Sequence, residues 1–306
     1  MSKVINENGM ISSETCAEFL DKKLMGDNIL IRRVASLSAK CFGALKFVTV
    51  FKKSCLDSLN LEVGNFVVAH ADYKNKLTIP HIISACPRLD FCKLANKYFP
   101  TNPVSKIEES ANIASNVEVG DNTYVGYNTV IENGVKIGSN SHILHNVVIS
   151  ENCEIGSHCF IKSGTVIGQR GFGFERDADG VPVSFPHYGS VKIGNHVEIG
   201  ALNTIVAGGL SDTIIESHVK TDDHVHIAHN VRIGWGTFIA ACAEISGSVC
   251  IGEKAWIGPN PAVIDKSSIG NKSFIGIGAV ITKSVSDSVV VAGNPGRVLK
   301  KIKDDK

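Results

Sequence analysis

Three histidines stand within a few residues of one another in the run Asp222-Asp223-His224-Val225-His226-Ile227-Ala228-His229-Asn230. Imidazole exchanges protons near neutral pH and also ligates metals, so this run is where chemistry is first sought. Zinc is not the expectation. The nine cysteines include no CxxC pair, and no Cys and His lie at zinc-ligand spacing, so the expected metal is none. A γ-carbonic-anhydrase-like site would need three suitably placed imidazoles, which His224, His226 and His229 of one short run do not obviously supply.

The elements that must hold these side chains are short and repeated. From residue 107 to 167 every sixth residue is Ile or Val: Ile107, Ile113, Val119, Val125, Ile131, Ile137, Ile143, Ile149, Ile155, Ile161 and Ile167. Four residues after nearly every one comes a small residue or Val, among them Thr129, Ser141, Cys153, Cys159 and Thr165, and Gly often follows the apolar residue directly. A period of six fits neither a helix nor a simple strand, but it fits a short strand plus a turn repeated as one face of a solenoid. The expected fold is mainly β, a parallel β-helix whose three hexapeptides close a triangular coil of 18 residues. Coils stack at about 4.8 Å, so residues 18 apart become vertical neighbours. By that rule the backbone N–H of Gly247 sits beside His229, although a corner glycine is common in such repeats.

The repeat is broken twice. A polar, Gly-bearing stretch at 171–182 cannot be a coil face and should project as a loop, within an insertion spanning 170–190. A second slip falls between Ile205 and Ile215, which are ten apart. Loops leave the stack while the scaffold stays rigid, so function is expected at such breaks, and the two adjoin the histidine run. The chain divides into a non-repetitive α/β domain at 1–103, the β-helix at 104–290 and a short basic tail at 291–306. In the first domain a capped helix is expected from Ser12 towards Gly26, strands around Leu30, Phe47 and Val67, and a helix at 88–99.

Lys and Arg number 31 against 30 Asp and Glu, giving a net charge of +1, so no bulk field points to nucleic acid or an anionic membrane. No apolar run approaches a membrane span, and Met1-Ser2-Lys3 leads into no signal-type segment, so the expected location is the cytoplasm with reduced thiols. Cys153 and Cys159 occupy inward slots and read as core. The Lys300-Lys301-Ile302-Lys303 end reads as solvated.

The run Ile227-Ala228-His229-Asn230-Val231, with Gly171-Phe172-Gly173-Phe174 and Gly189-Ser190-Val191-Lys192-Ile193-Gly194 before it, resembles the hexapeptide acyltransferases of lipid A synthesis, most closely the UDP-3-O-acylglucosamine N-acyltransferases. The resemblance covers about residues 10–290. It implies an amino-terminal domain that binds the nucleotide sugar, a left-handed β-helix, and a homotrimer with each site between two subunits. It implies His229 as general base and Gly247 as oxyanion donor. It places Phe47, Phe172, Phe174, His187, Asn230 and His226 as substrate contacts, although His224 and His226 also read as structural. A base suits the chemistry, since an amine attacking a thioester must lose a proton and imidazole has a pKa near about 6.5.

Three departures stand out. Lys266 takes the place of a second family histidine near the donor, and Lys53 that of the tyrosine expected to stack with Phe47 on the base. The helical carboxy-terminal extension of the family is missing. The end Val291-Ala292-Gly293-Asn294-Pro295-Gly296-Arg297-Val298 instead resembles hexapeptide acetyltransferases that use coenzyme A, which puts Lys266 and Arg297 forward as donor contacts and favours a short acyl group. The expected function is N-acyl transfer from acyl-coenzyme A or acyl carrier protein to a nucleotide-linked amino sugar for a cell-envelope glycan, with no permanently bound cofactor. The competing readings are the authentic lipid A enzyme of lipopolysaccharide synthesis and a silent sugar-binding scaffold.

Overall fold

The computed structural model describes residues 9–61 and 64–301. The first eight residues, and Ile302 and Lys303 of the basic end, lie outside the described residues. The chain forms two compact units that divide after Asn102.

The first unit is built on four parallel strands, Arg33–Val34, Ala44–Val48, Phe66–His70 and His81–Ser84, with the helix Pro87–Tyr98 packed on them. Parallel strands covered by a helix read as continuous apolar runs, and Leu45, Val67, Val68 and Ile82 are fully buried. The first helix is Ser13–Phe19 and starts where expected, with the Ser12 hydroxyl accepting from the Thr15 N–H at 3.0 Å. It ends well before Gly26, because Asp21 turns left-handed at φ 51 and the Lys22 N–H returns to the Ala17 carbonyl. The helix Lys53–Leu61 and the strand His81–Ser84 carry no clear periodicity and were not anticipated.

In the second unit each hexapeptide contributes a strand of two to four residues to one of three sheets whose stacked coils pair in parallel. Tyr124 pairs with His142 and His142 with Phe160, so neighbours are 18 apart as the period requires. Across the first insertion Val166 pairs with Thr204, and across the second Val191 pairs with Thr213. Twenty residues and then four therefore leave the stack without disturbing it. From Val125 onward the Ile and Val columns fill one continuous core, Ile143, Ile161, Ile227 and Ile245 being wholly buried, whereas Ile107 of the first coil is half exposed. Corners turn on left-handed residues, mostly Asn and His, such as Asn146 at φ 55 and His224 at φ 60. The glycine after the apolar residue serves another purpose: a Cβ on Gly138 would lie 2.5 Å from the Ser157 nitrogen of the next coil.

The inward small slot ties coils together. The Thr129 hydroxyl donates to the Leu144 carbonyl at 2.6 Å and accepts from the Val147 N–H at 3.3 Å. Thr237 does the same with the Gly252 carbonyl and the Ala255 N–H, at 2.7 and 3.1 Å. Cys159 sits in the same slot and its thiol donates to the Gly194 carbonyl. Burial pushes the Cys153 thiol up to about 11 and raises Cys159 as well, in keeping with core residues.

The end of the chain corrects one expectation. Residues 291–306 do not form a solvated tail throughout: Arg297–Lys301 is a strand that folds back antiparallel on Val289–Ala292 and adds to the stack. Gly293-Asn294-Pro295-Gly296 is the turn between them.

Replacing Thr237 by Val keeps the volume but leaves a buried carbonyl and a buried N–H without their partner. We expect Thr237→Val to destabilise the chain by about 1–3 kcal/mol. Chemical denaturation measures this, and a midpoint equal to wild type would contradict the bridging role.

Candidate active site

His229 and Asn230 form the corner between the strands His226–Ile227 and Arg232–Ile233. Asn230 is held on every side. Its N–H donates to the Thr213 hydroxyl at 2.9 Å, its Oδ1 accepts from the Gly209 N–H at 3.0 Å, and its Nδ2 donates to the Ser211 carbonyl at 2.8 Å. A backbone donor on one side and a backbone acceptor on the other fix which end of the amide is which. Oδ1 therefore faces His229 Nδ1, 3.2 Å away, so Nδ1 carries the proton and Nε2 keeps its lone pair. Gly209 and Ser211 belong to the second break of the repeat, so that four-residue insertion exists where it is needed to orient the imidazole.

Gly247 lies one coil on. A Cβ built there would stand 2.6 Å from both Cε1 and Nε2 of His229, so only glycine lets the ring rest against this corner. At some corners the N–H is capped by a side chain of a neighbouring coil, as Tyr127 is by His145, Ala201 by Asp223 and Glu253 by Asn271. The residue above Gly247 is Asp265, whose carboxylate turns to Lys266 Nζ at 3.9 Å. Among the described residues the Gly247 N–H has no acceptor.

The first insertion is a hairpin of Phe174–Arg176 against Pro182–Ser184 that returns to His229. Its root is fastened by Asp212, which accepts from the N–H and hydroxyl of Ser190 and pairs with Lys192 at 3.2 Å. The Ser190 N–H, then Lys192, hold that carboxyl below its ordinary range. His187 donates from Nδ1 to the Phe185 carbonyl at 3.1 Å and sets its ring edge-on to His229, with centroids 5.9 Å apart. Gly171 permits this approach, since a Cβ there would fall 2.7 Å from His187 Nε2 and 3.3 Å from His229 Cδ2. Phe172 and Phe174 form an edge-on pair and are 91% and 52% exposed, an arrangement in which apolar faces await something to cover them.

Two cavities meet at His229, Gly247 and Phe172. One, of about 670 Å³, runs under the loop past Phe174, His187 and Asn230 to Ser248 and Lys266. The other, of about 420 Å³, runs along the sheet face past Arg170, His226, Glu244 and Ser246. His226 is both braced and accessible, its Nδ1 2.6 Å from the Thr204 hydroxyl and its ring on the second cavity.

The structure thus brings together His229, Gly247, Asn230, Phe172, Phe174, His187, His226 and Lys266. His224 is an exposed corner residue lining neither cavity. Arg297 lies on the last strand, four coils beyond His229 or about 19 Å at strand spacing, and its guanidinium reaches the Gly296 carbonyl. Phe47 is half-buried in the first unit with its ring 4.6 Å from Phe91. Among the described residues no three His, Cys, Asp or Glu are placed to hold a metal ion, and no helix is long and apolar enough to cross a membrane. Sequence reasoning missed Phe185, Asp212, Arg170, Glu244 and Ser246. Glu244 was within reach, because it stands 18 residues after His226.

The family model described as bacterial transferase hexapeptide (six repeats) matches residues 134–169 and 212–247. A UDP-3-O-acylglucosamine N-acyltransferase of Bordetella pertussis is 42% identical over 127 residues, 40% of this chain and 35% of that protein. The chain thus spans about a third of the length of the first such relatives. The protein of the same name from Coxiella burnetii (strain Dugway 5J108-111) is 38% identical over 237 residues, 71% of this chain and 69% of that one. The chain belongs to the UDP-3-O-acylglucosamine N-acyltransferase family. The solved structure of LpxA from Acinetobacter baumannii superposes with a TM-score of 0.59 at 23% identity, over 64% of this chain and 74% of that one. The family fold, a left-handed parallel β-helix behind a small α/β region, is the fold of this chain.

Gly247→Ala forces the imidazole of His229 away from Asn230. We expect the His229 ring signals to move in histidine-selective NMR, with Tm lowered by about 2–4 °C because Gly247 is buried but the added methyl displaces a single ring. Unchanged His229 signals would show that the ring does not rest on this glycine.

Proposed function

We propose that this chain is an N-acyltransferase that moves an acyl group from a thioester to the amine of a nucleotide-linked amino sugar. The observation that carries this reading is an imidazole with its Nε2 lone pair fixed by Asn230, set against a backbone N–H that has no acceptor. Those are the two groups that acyl transfer needs at one point. The amine nitrogen attacks the thioester carbonyl carbon, His229 Nε2 takes a proton from that nitrogen, and the Gly247 N–H donates to the oxygen on which charge builds. The C–S bond then breaks, and the imidazolium returns its proton to the leaving thiolate. His187 and the exposed rings of Phe172 and Phe174 suit the acceptor sugar under the loop, its amine reaching the junction of the two cavities. Lys266 at the far end suits the anionic carrier of the donor, acyl-coenzyme A or acyl carrier protein.

The relatives from Bordetella pertussis and Coxiella burnetii are named for UDP-3-O-acylglucosamine, which favours the lipid A acceptor as the particular form of this reading. A homotrimer accords with the stack of Phe238, Trp256 and Phe274 on one sheet face, each about 40% exposed, which self-association would cover. Light scattering at micromolar concentration is expected to give three times the mass of one chain, and a monomer would contradict it.

His229→Ala removes the base and leaves the cavities open. We expect kcat to fall about 10²-fold or more with UDP-3-O-acylglucosamine and an acyl thioester, while binding of the nucleotide sugar changes little. Turnover equal to wild type would overturn the assignment.

A further inference from the structure

The outward residues of the sheet face that leads to His229 form one vertical ladder. In register they are Asn112, Val130, Val148, Val166, Thr204, His226, Glu244, Ala262 and Val280. Beyond the first coil, where Asn112 stands, the ladder is apolar on both sides of the three coils around His229 and polar only within them. A solvated face would scatter its polar residues along its length, whereas this one concentrates them on the wall of the second cavity.

Glu244 has spare capacity there. Its two carboxylate oxygens accept from the Ser246 hydroxyl at 3.2 and 3.1 Å, and among the described residues no cation pairs with it. Arg170, on the same cavity, forms no ion pair with it either. The carboxylate is an acceptor only, and Ser246 holds it towards the space it shares with His229.

We propose that Glu244 accepts the second N–H of the attacking amine and thereby selects amine over hydroxyl acceptors at the His229 site. The inference rests on the acyl-transfer reading. A primary amine has two N–H groups and one lone pair. With one N–H on His229 Nε2 and the other on Glu244, the lone pair points at the thioester carbon. A hydroxyl has a single O–H, so it satisfies His229 and leaves Glu244 unmet. As the C–N bond forms the nitrogen becomes positive, and the neighbouring carboxylate favours that charge, which a ground-state amine lacks. Glu244 takes no proton: the one lost from nitrogen goes to His229 and leaves with the thiol.

The test compares UDP-3-O-acylglucosamine with its analogue bearing a hydroxyl in place of the amine, using one acyl thioester donor and the full-length protein. Glu244 is exposed, so its variants should fold, and circular dichroism checks this. Glu244→Ala is expected to lower kcat/KM for the amine by about 10- to 100-fold, and Glu244→Gln, which keeps an acceptor oxygen but no charge, by less. Slow turnover of the hydroxyl analogue, read over long incubation, should change less than about 3-fold, so the amine preference collapses. An amine-to-hydroxyl ratio unchanged in both variants would overturn the proposal, as would its loss in His226→Gln with Glu244 intact, since Glu244 would then act through His226. Failure of His229→Ala to reduce turnover would instead sink the acyl-transfer reading itself.

Discussion

The register of one coil on the next is the constraint on which everything else in the second unit depends. Each corner and strand is too short to be stable alone, so its conformation is set by backbone bonds to the residue 18 positions away. The Thr129 and Thr237 hydroxyls reinforce this from inside the core, where a donor and an acceptor of adjacent coils would otherwise go unmet. Such a stack cannot slip by one residue without turning its whole isoleucine column outward. It therefore positions whatever stands on its corners with little freedom, and His229 and Gly247 are two corners of successive coils.

On so regular a scaffold, chemistry needs exceptions, and these are local. Twenty residues leave the stack to bring Phe172, Phe174 and His187 over His229, and four leave it to place Gly209 and Ser211 around Asn230. Gly171 and Gly247 are glycines for one reason, that a side chain would occupy the space of an imidazole. The polar ladder of Thr204, His226 and Glu244 is a third exception, made by substitution and not insertion.

Much of this was legible because the period is strict. Six-residue spacing gave the coil, the coil gave the neighbour rule, and the rule put Gly247 against His229. The first unit was less legible: Leu45 and Val67 announce strands, but the helix Lys53–Leu61 buries only Leu59, so its sequence has little apolar stripe to read. The carboxy-terminal strand was read as a tail because its five residues are all exposed and it is held by backbone pairing alone. Asn230 could be noticed beside His229, yet its four bonds come from residues 17 to 21 positions away across an irregular loop, which no spacing rule reaches.

The central claim is that the stack presents one base and one oxyanion donor to a single reacting carbonyl. A crystal structure with the N-acylated sugar nucleotide bound tests it most directly. The account predicts the amide oxygen within hydrogen-bonding distance of the Gly247 N–H and the amide nitrogen beside His229 Nε2. An acyl amide seated elsewhere on the β-helix, with both groups untouched, would contradict it.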